Sequence, residues 1–196
     1  MIKERLKKRK LLIALVIIMV VSFICGVLFV SVLSDSNQEL IKSSINSYFN
    51  GINNNEMNYL RSLYSVLTSN LLLVIFLWVI GISIVGIILI VLALIFKSFL
   101  VGFSFTSIIY TYGFKGLLTG IIYSIPEMIG LFVVFVISYY AINFSFVLFN
   151  MLFRKKEYNK KVIVSRYLKL LLIACVVMVL ISLLSVFVIP NILRFF

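Results

Sequence analysis

The stretch YGFKGLLTGIIYSIPEMIG, residues 112–130, decides how this chain folds. It holds four glycines, a lysine, a proline and a glutamate, and it lies between runs made mostly of Leu, Ile, Val and Phe. Either the chain turns here at a membrane surface or it breaks within the bilayer, and the choice sets the number of crossings.

The flanking sequence places the chain in a membrane. Of its 196 residues, 63% are hydrophobic and 12% charged, with a mean hydropathy of +1.22; soluble domains are about half apolar and a quarter charged. Uncharged runs at 11–34, 71–96, 128–153 and 170–193 each exceed the ~20 residues that cover a hydrocarbon core. The first run is longer than a secretory h-region and lacks an A-x-A-like site, so it reads as a retained anchor. The expected class is an all-α, polytopic integral membrane bundle.

The formal charge of +12 is not spread evenly. Six of the 18 basic residues precede Leu11 and seven lie from Arg154 to Lys169. Basic clusters beside apolar spans mark cytoplasmic segments; the alternative is a dedicated site for anionic lipid or nucleic acid, and no nucleic-acid partner is expected. Putting both clusters inside gives a cytoplasmic tail at 1–10, an anchor helix at 11–33, an extracytoplasmic loop at 34–70 and a bundle at 71–196. Within the bundle the expected spans are 71–97, 98–113, 127–153 and 167–189, with a cytoplasmic loop at 154–166. This makes five crossings of the plasma membrane, N-terminus inside and C-terminus outside.

The opening stretch then holds the outer bend between the third and fourth spans, and two arrangements fit it. In one, the third span ends near Gly113 and residues 116–125 dip back or lie along the interface before Pro126 starts the fourth. In the other, the third span continues to about Ile122 while Lys115 snorkels to the headgroups. Gly113, Gly116 and Gly120 lower helix propensity and favour the first. Pro126 suits a first helical turn, where Glu127 would face the positive end of the dipole. Alternatively Glu127 is buried and paired with Lys115, which would mark a functional site, because intramembrane charge is costly.

In the outer loop, Ile41, Ile45, Tyr48, Phe49 and Ile52 share one helical face, and Met57, Leu60, Leu63, Tyr64 and Leu67 share another. They predict two short amphipathic helices lying on the outer leaflet or over the bundle, or else a docking surface. Gly51 and Asn53 to Asn55 break them.

Small residues let helix backbones approach in lipid. Six of the nine glycines fall between Gly81 and Gly120, so Gly81, Ser83, Gly86, Gly102, Gly113, Gly116 and Gly120 are expected at the packed centre, with the first and last spans outside. Catalytic chemistry is hard to assemble. The chain has no histidine and one aspartate, Asp35, with no metal-ligand spacing and no P-loop. No enzyme activity, cofactor, metal or small-molecule substrate is expected.

The block LWVIGISIVGIILIVLALIFKSFLVGFSF, residues 77–105, followed by the opening stretch, resembles stage II sporulation protein M of endospore-forming Firmicutes. The shared features are Gly81, Ser83 and Gly86, then Lys97 at the inner end of the second span, Val101-Gly102-Phe103, a turn at Gly116, and Pro126. Glu127 departs from the uncharged polar residue often found after that proline. The resemblance implies a membrane component of the engulfment machinery: a scaffold in the bilayer that recruits membrane-anchored partners, including a peptidoglycan hydrolase or its anchor. The competing reading is a transport or channel subunit using the break at 113–126, with Lys115 and Glu127 on the path. An exporter's permease subunit, contacting an ATPase through residues 154–169, is the weakest.

Overall fold

In a computed structural model, residues 2–54, 57–153 and 160–194 are described, and among them every regular element is helical. The elements are α1 (Ile2–Val32), α2 (Asp35–Asn53), α3 (Tyr59–Ile80), α4 (Gly86–Phe153), α5 (Lys160–Leu183), a π-helical segment (Leu184–Val188) and α6 (Ile189–Leu193). Four helical stretches are long and apolar enough to cross a membrane.

One of these, α4, has 68 residues. Straight, it would measure roughly 100 Å, about three times the hydrocarbon thickness. It folds back at Gly113, whose φ of 60° and ψ of −134° lie where only glycine is comfortable. A Cβ there would meet nothing within 4 Å, so the constraint is purely on the backbone. The result is two antiparallel arms, α4a (86–112) and α4b (114–153), and five crossing segments in all. The bend the sequence called for is present, and residues 116–125 are the opening turns of α4b rather than a re-entrant piece.

Three boundaries need correction. The second expected span, 71–97, contains a turn at residues 81–85, so α3 ends at Ile80 and the next crossing starts at Gly86, not at Ser98. This turn is almost wholly apolar, with Ile82 and Val85 exposed, and so it has no polar signature. Short i→i−3 hydrogen bonds close it, from Ile82 to the Val79 carbonyl (3.1 Å) and from Ser83 to that of Ile80 (2.9 Å). Second, the outer-loop segment around Met57 to Leu67 is not a separate helix: α3 begins at Tyr59, capped by the Asn58 side chain accepting from the Arg61 amide at 3.1 Å. Third, α5 starts at Lys160, so the loop expected at 154–166 is shorter; its residues 154–159 lie outside the described ones.

The core forms where α3, both arms of α4 and α5 meet. Val74, Leu77, Ile90, Leu94, Val134 and Met178 have no exposed surface. α5 thus helps build the interior, contrary to its expected peripheral place. α1 buries a stripe including Leu15, Ser22 and Val30, with Leu11, Val16, Met19 and Phe23 partly buried beside it. It lies along α4a where two glycines cross: a Cβ on Gly102 would strike the Phe23 carbonyl, and one on Gly26 would strike that of Phe99. Such close approach is how helices gain packing when lipid offers no hydrophobic drive.

The basic start of α1 and the α6 terminus lie at opposite ends of the bundle. At the α6 end, α2 turns its predicted apolar face onto the other helices. Ile52 is fully buried in a small cluster with Ile189 and Leu193, against which Tyr48 and Phe49 pack.

Candidate functional site

Because α4 doubles back at Gly113, residues at similar distances on either side of it reach the same depth. Lys97 is about 24 Å before that bend and about 16 Å beyond Gly86, well within the span at 1.5 Å per residue. Glu127 descends the other arm to meet it. Lys97 Nζ donates to Glu127 Oε2 at 2.7 Å, with side-chain exposures of 17% and 31%. Lys97 is therefore not at the inner end of a span, and Lys115 is not the partner of Glu127. Lys115 is exposed beside the bend, about 18 Å of helix above Glu127.

Pro126 is buried in the middle of α4b rather than opening a helix. Lacking an N–H, it leaves the Ile122 carbonyl without its helical donor. On the helix opposite, Pro190 is the second residue of α6, and the chain before it widens into the π-helical turn Leu184–Val188, a form of irregularity frequent at functional sites. Both prolines border a cavity of about 360 Å³ that reaches from Arg61 at the α2 end down to Glu127, with Tyr48, Ser65 and Tyr123 on its walls. The Ser185 hydroxyl, in the π-helical turn, also lines it and is buried without a hydrogen-bond partner. Burial raises the Tyr48 phenol above its ordinary range, so Tyr48 faces the cavity neutral at physiological pH.

This arrangement answers the cost of charge in a bilayer. The carboxylate has a cation on one side and, on the other, a polar recess with room for several waters. The site can hydrogen-bond a polar group through hydroxyls and a carboxylate. Among the described residues, no three His, Cys, Asp or Glu side chains gather as metal ligands would.

The other expected residues are packing positions of unequal tightness. A Cβ on Gly81 would collide with the Tyr167 hydroxyl, and one on Gly86 with the Ile80 carbonyl. On Gly116 it would sit 2.6 Å from the Ile108 carbonyl, but on Gly120 only in ordinary contact, 3.5 Å from the Phe105 ring. Ser83 is exposed, and its carbonyl accepts from Ser145 Oγ at 3.0 Å.

Sequence reasoning missed three features. Gly26 was outside the glycine-rich block. A polar knot joins α3 to α5: Tyr167 donates to the Trp78 carbonyl at 2.8 Å, Trp78 Nε1 returns a bond to the Tyr167 carbonyl at 3.3 Å, and their rings stack. Deeper, Asn70 Nδ2 donates to Ser182 Oγ at 3.1 Å. The signal for Lys97 was present, since it and Lys115 are the only cations between Arg61 and Arg154, and folding the chain at Gly113 selects Lys97.

The fold and site define a polytopic helical membrane protein with one intramembrane ion pair, among the described residues, beneath a polar cavity. The sequence matches the family described as stage II sporulation protein M over residues 15–190, most of its length. The chain belongs to that family, which makes it a sporulation-related membrane protein. Neither a curated protein nor a solved structure matches it.

Proposed function

We propose that this chain is a non-enzymatic scaffold of the plasma membrane that recruits or anchors peptidoglycan-remodelling partners during sporulation engulfment. Its N-terminus is cytoplasmic and its C-terminus outside, an orientation supported by Lys8, Arg9 and Lys10 at one end and Lys161, Arg166 and Lys169 at the same end.

One observation carries the reading: α2 is held in place with a polar face outward. Gln38 Nε2 donates to the Leu33 carbonyl at 3.0 Å and its oxygen accepts from the Tyr110 hydroxyl. At the other end of α2, Arg194 Nε donates to the Ile52 carbonyl and Nη2 to the Tyr59 hydroxyl, both at 2.9 Å. Ser43, Asn46, Ser47 and Asn50 are all exposed and share one helical face. A helix so fixed offers a preorganised surface beside the membrane, which lowers the ordering cost of binding. Detergent extraction of the tagged chain from sporulating cells is expected to recover a wall hydrolase or its membrane anchor, and to lose it when Ser43 and Asn46 are both replaced by Lys. Repeated recovery of no wall-remodelling protein would overturn the proposal.

The cavity over the ion pair favours a second reading, a subunit of a transport pathway. Solute flux in proteoliposomes that is abolished by Glu127→Gln supports it; no flux, or flux untouched by the substitution, rejects it.

A further inference from the structure

A groove of about 770 Å³ runs between α4b and α5 and shares no lining residue with the polar cavity. Its floor and walls are apolar, among them Phe132, Val136, Ile173 and Val177. Lys8, Arg166 and Lys169 line the same groove, and all three are exposed. Among the described side chains none of them has a carboxylate partner, the acid–base pair there being Lys97–Glu127. The cations belong to the basic end: Lys8 precedes the apolar run of α1, while Arg166 and Lys169 flank Tyr167, which is bonded to Trp78 in the last turn of α3.

From this geometry we infer that the groove is a binding site for an anionic glycerophospholipid, its phosphate at Lys8, Arg166 and Lys169 and an acyl chain along α4b and α5. The apolar lining from Tyr140 to Ile129 covers about 16 Å of helix, matching one leaflet of a core roughly 30 Å thick. Basic pockets between membrane helices recognise anionic headgroups in this way, each Lys or Arg adding to the attraction. A cluster that only set topology would need no groove beneath it. Here three cations drawn from two helices, α1 and α5, converge on one. The inference holds whichever face of the membrane the basic end meets.

Native mass spectrometry of the full chain, released from nanodiscs containing equal phosphatidylglycerol and phosphatidylcholine, tests it. Wild type is expected to retain phosphatidylglycerol selectively. K8Q/R166Q/K169Q should reduce that retention at least about tenfold, in keeping with three lost surface cations. The equal-charge control R9Q/K10Q/K161Q, whose residues do not line the groove, should change it less than about twofold. Val136→Trp, which fills the groove and leaves every charge in place, should also displace the lipid. Circular dichroism and size-exclusion profiles confirm that each variant is folded. Equal losses in the two triple variants would show diffuse charge attraction and overturn the inference. So would equal retention of both lipids, or retention unaffected by Val136→Trp.

Discussion

Lys97 and Glu127 are 30 positions apart in the chain and 2.7 Å apart in space, joined through the membrane interior by the fold-back at Gly113. The pair ties the two arms of α4 together at mid-depth. It also explains how a lone carboxylate is tolerated there, since cation and polar cavity together replace the water it has left.

Removing one partner should therefore cost more than removing both. Lys97→Met leaves the carboxylate uncompensated, and a loss of about 2 kcal/mol is expected, less than for a fully buried pair because the cavity partly solvates Glu127. The double variant K97M/E127M should recover most of this. Thermal unfolding in detergent of the two single variants and the double one checks it, and an additive result would show that the residues are not coupled.

The glycines should differ sharply although the sequence lists them alike. Gly113→Ala forces a side chain into a left-handed conformation and should cost about 1–3 kcal/mol, despite having no atom to clash with. Gly102→Ala meets the Phe23 backbone instead and should loosen α1 from α4a. Gly120→Ala has ordinary room and is expected to be neutral or to stabilise by roughly 0.5 kcal/mol through helix propensity. Melting temperatures ranked with Gly120→Ala above both others would confirm the ordering.

Arg194 closes the far end of α2 through two side-chain bonds to separate elements. Arg194→Gln should raise hydrogen exchange across residues 44–54 while leaving α4 protected, because bonds from a charged donor contribute about 1.5–3 kcal/mol. Unchanged exchange in α2 would mean that its apolar face alone holds it down.

The proposed orientation predicts a labelling pattern. In a background lacking Cys25 and Cys175, single cysteines at Asn54 and Lys115 should react with a membrane-impermeant thiol reagent applied to intact cells. A cysteine at Lys161 should react only after lysis. Reversed labelling would invert the molecule in the membrane without altering its fold.

The sequence by itself determined the environment, the helical class, the presence of a bend within residues 112–130 and the apolar face of α2. These follow from local and additive properties: hydropathy summed over a span, a 3.6-residue period, and the conformational freedom of glycine. It could not place the turn at 81–85, because Ile82, Ile84 and Val85 are as apolar as the helices they join and the run from 71 to 96 reads unbroken. Only the tertiary structure decided that Lys97 lies at mid-membrane, that its partner is Glu127 rather than Lys115, and that Pro126 and Pro190 border one cavity. Contacts of this kind depend on which depths coincide once the chain has doubled back, and a one-dimensional pattern of polarity carries depth only as far as its turns are correctly placed.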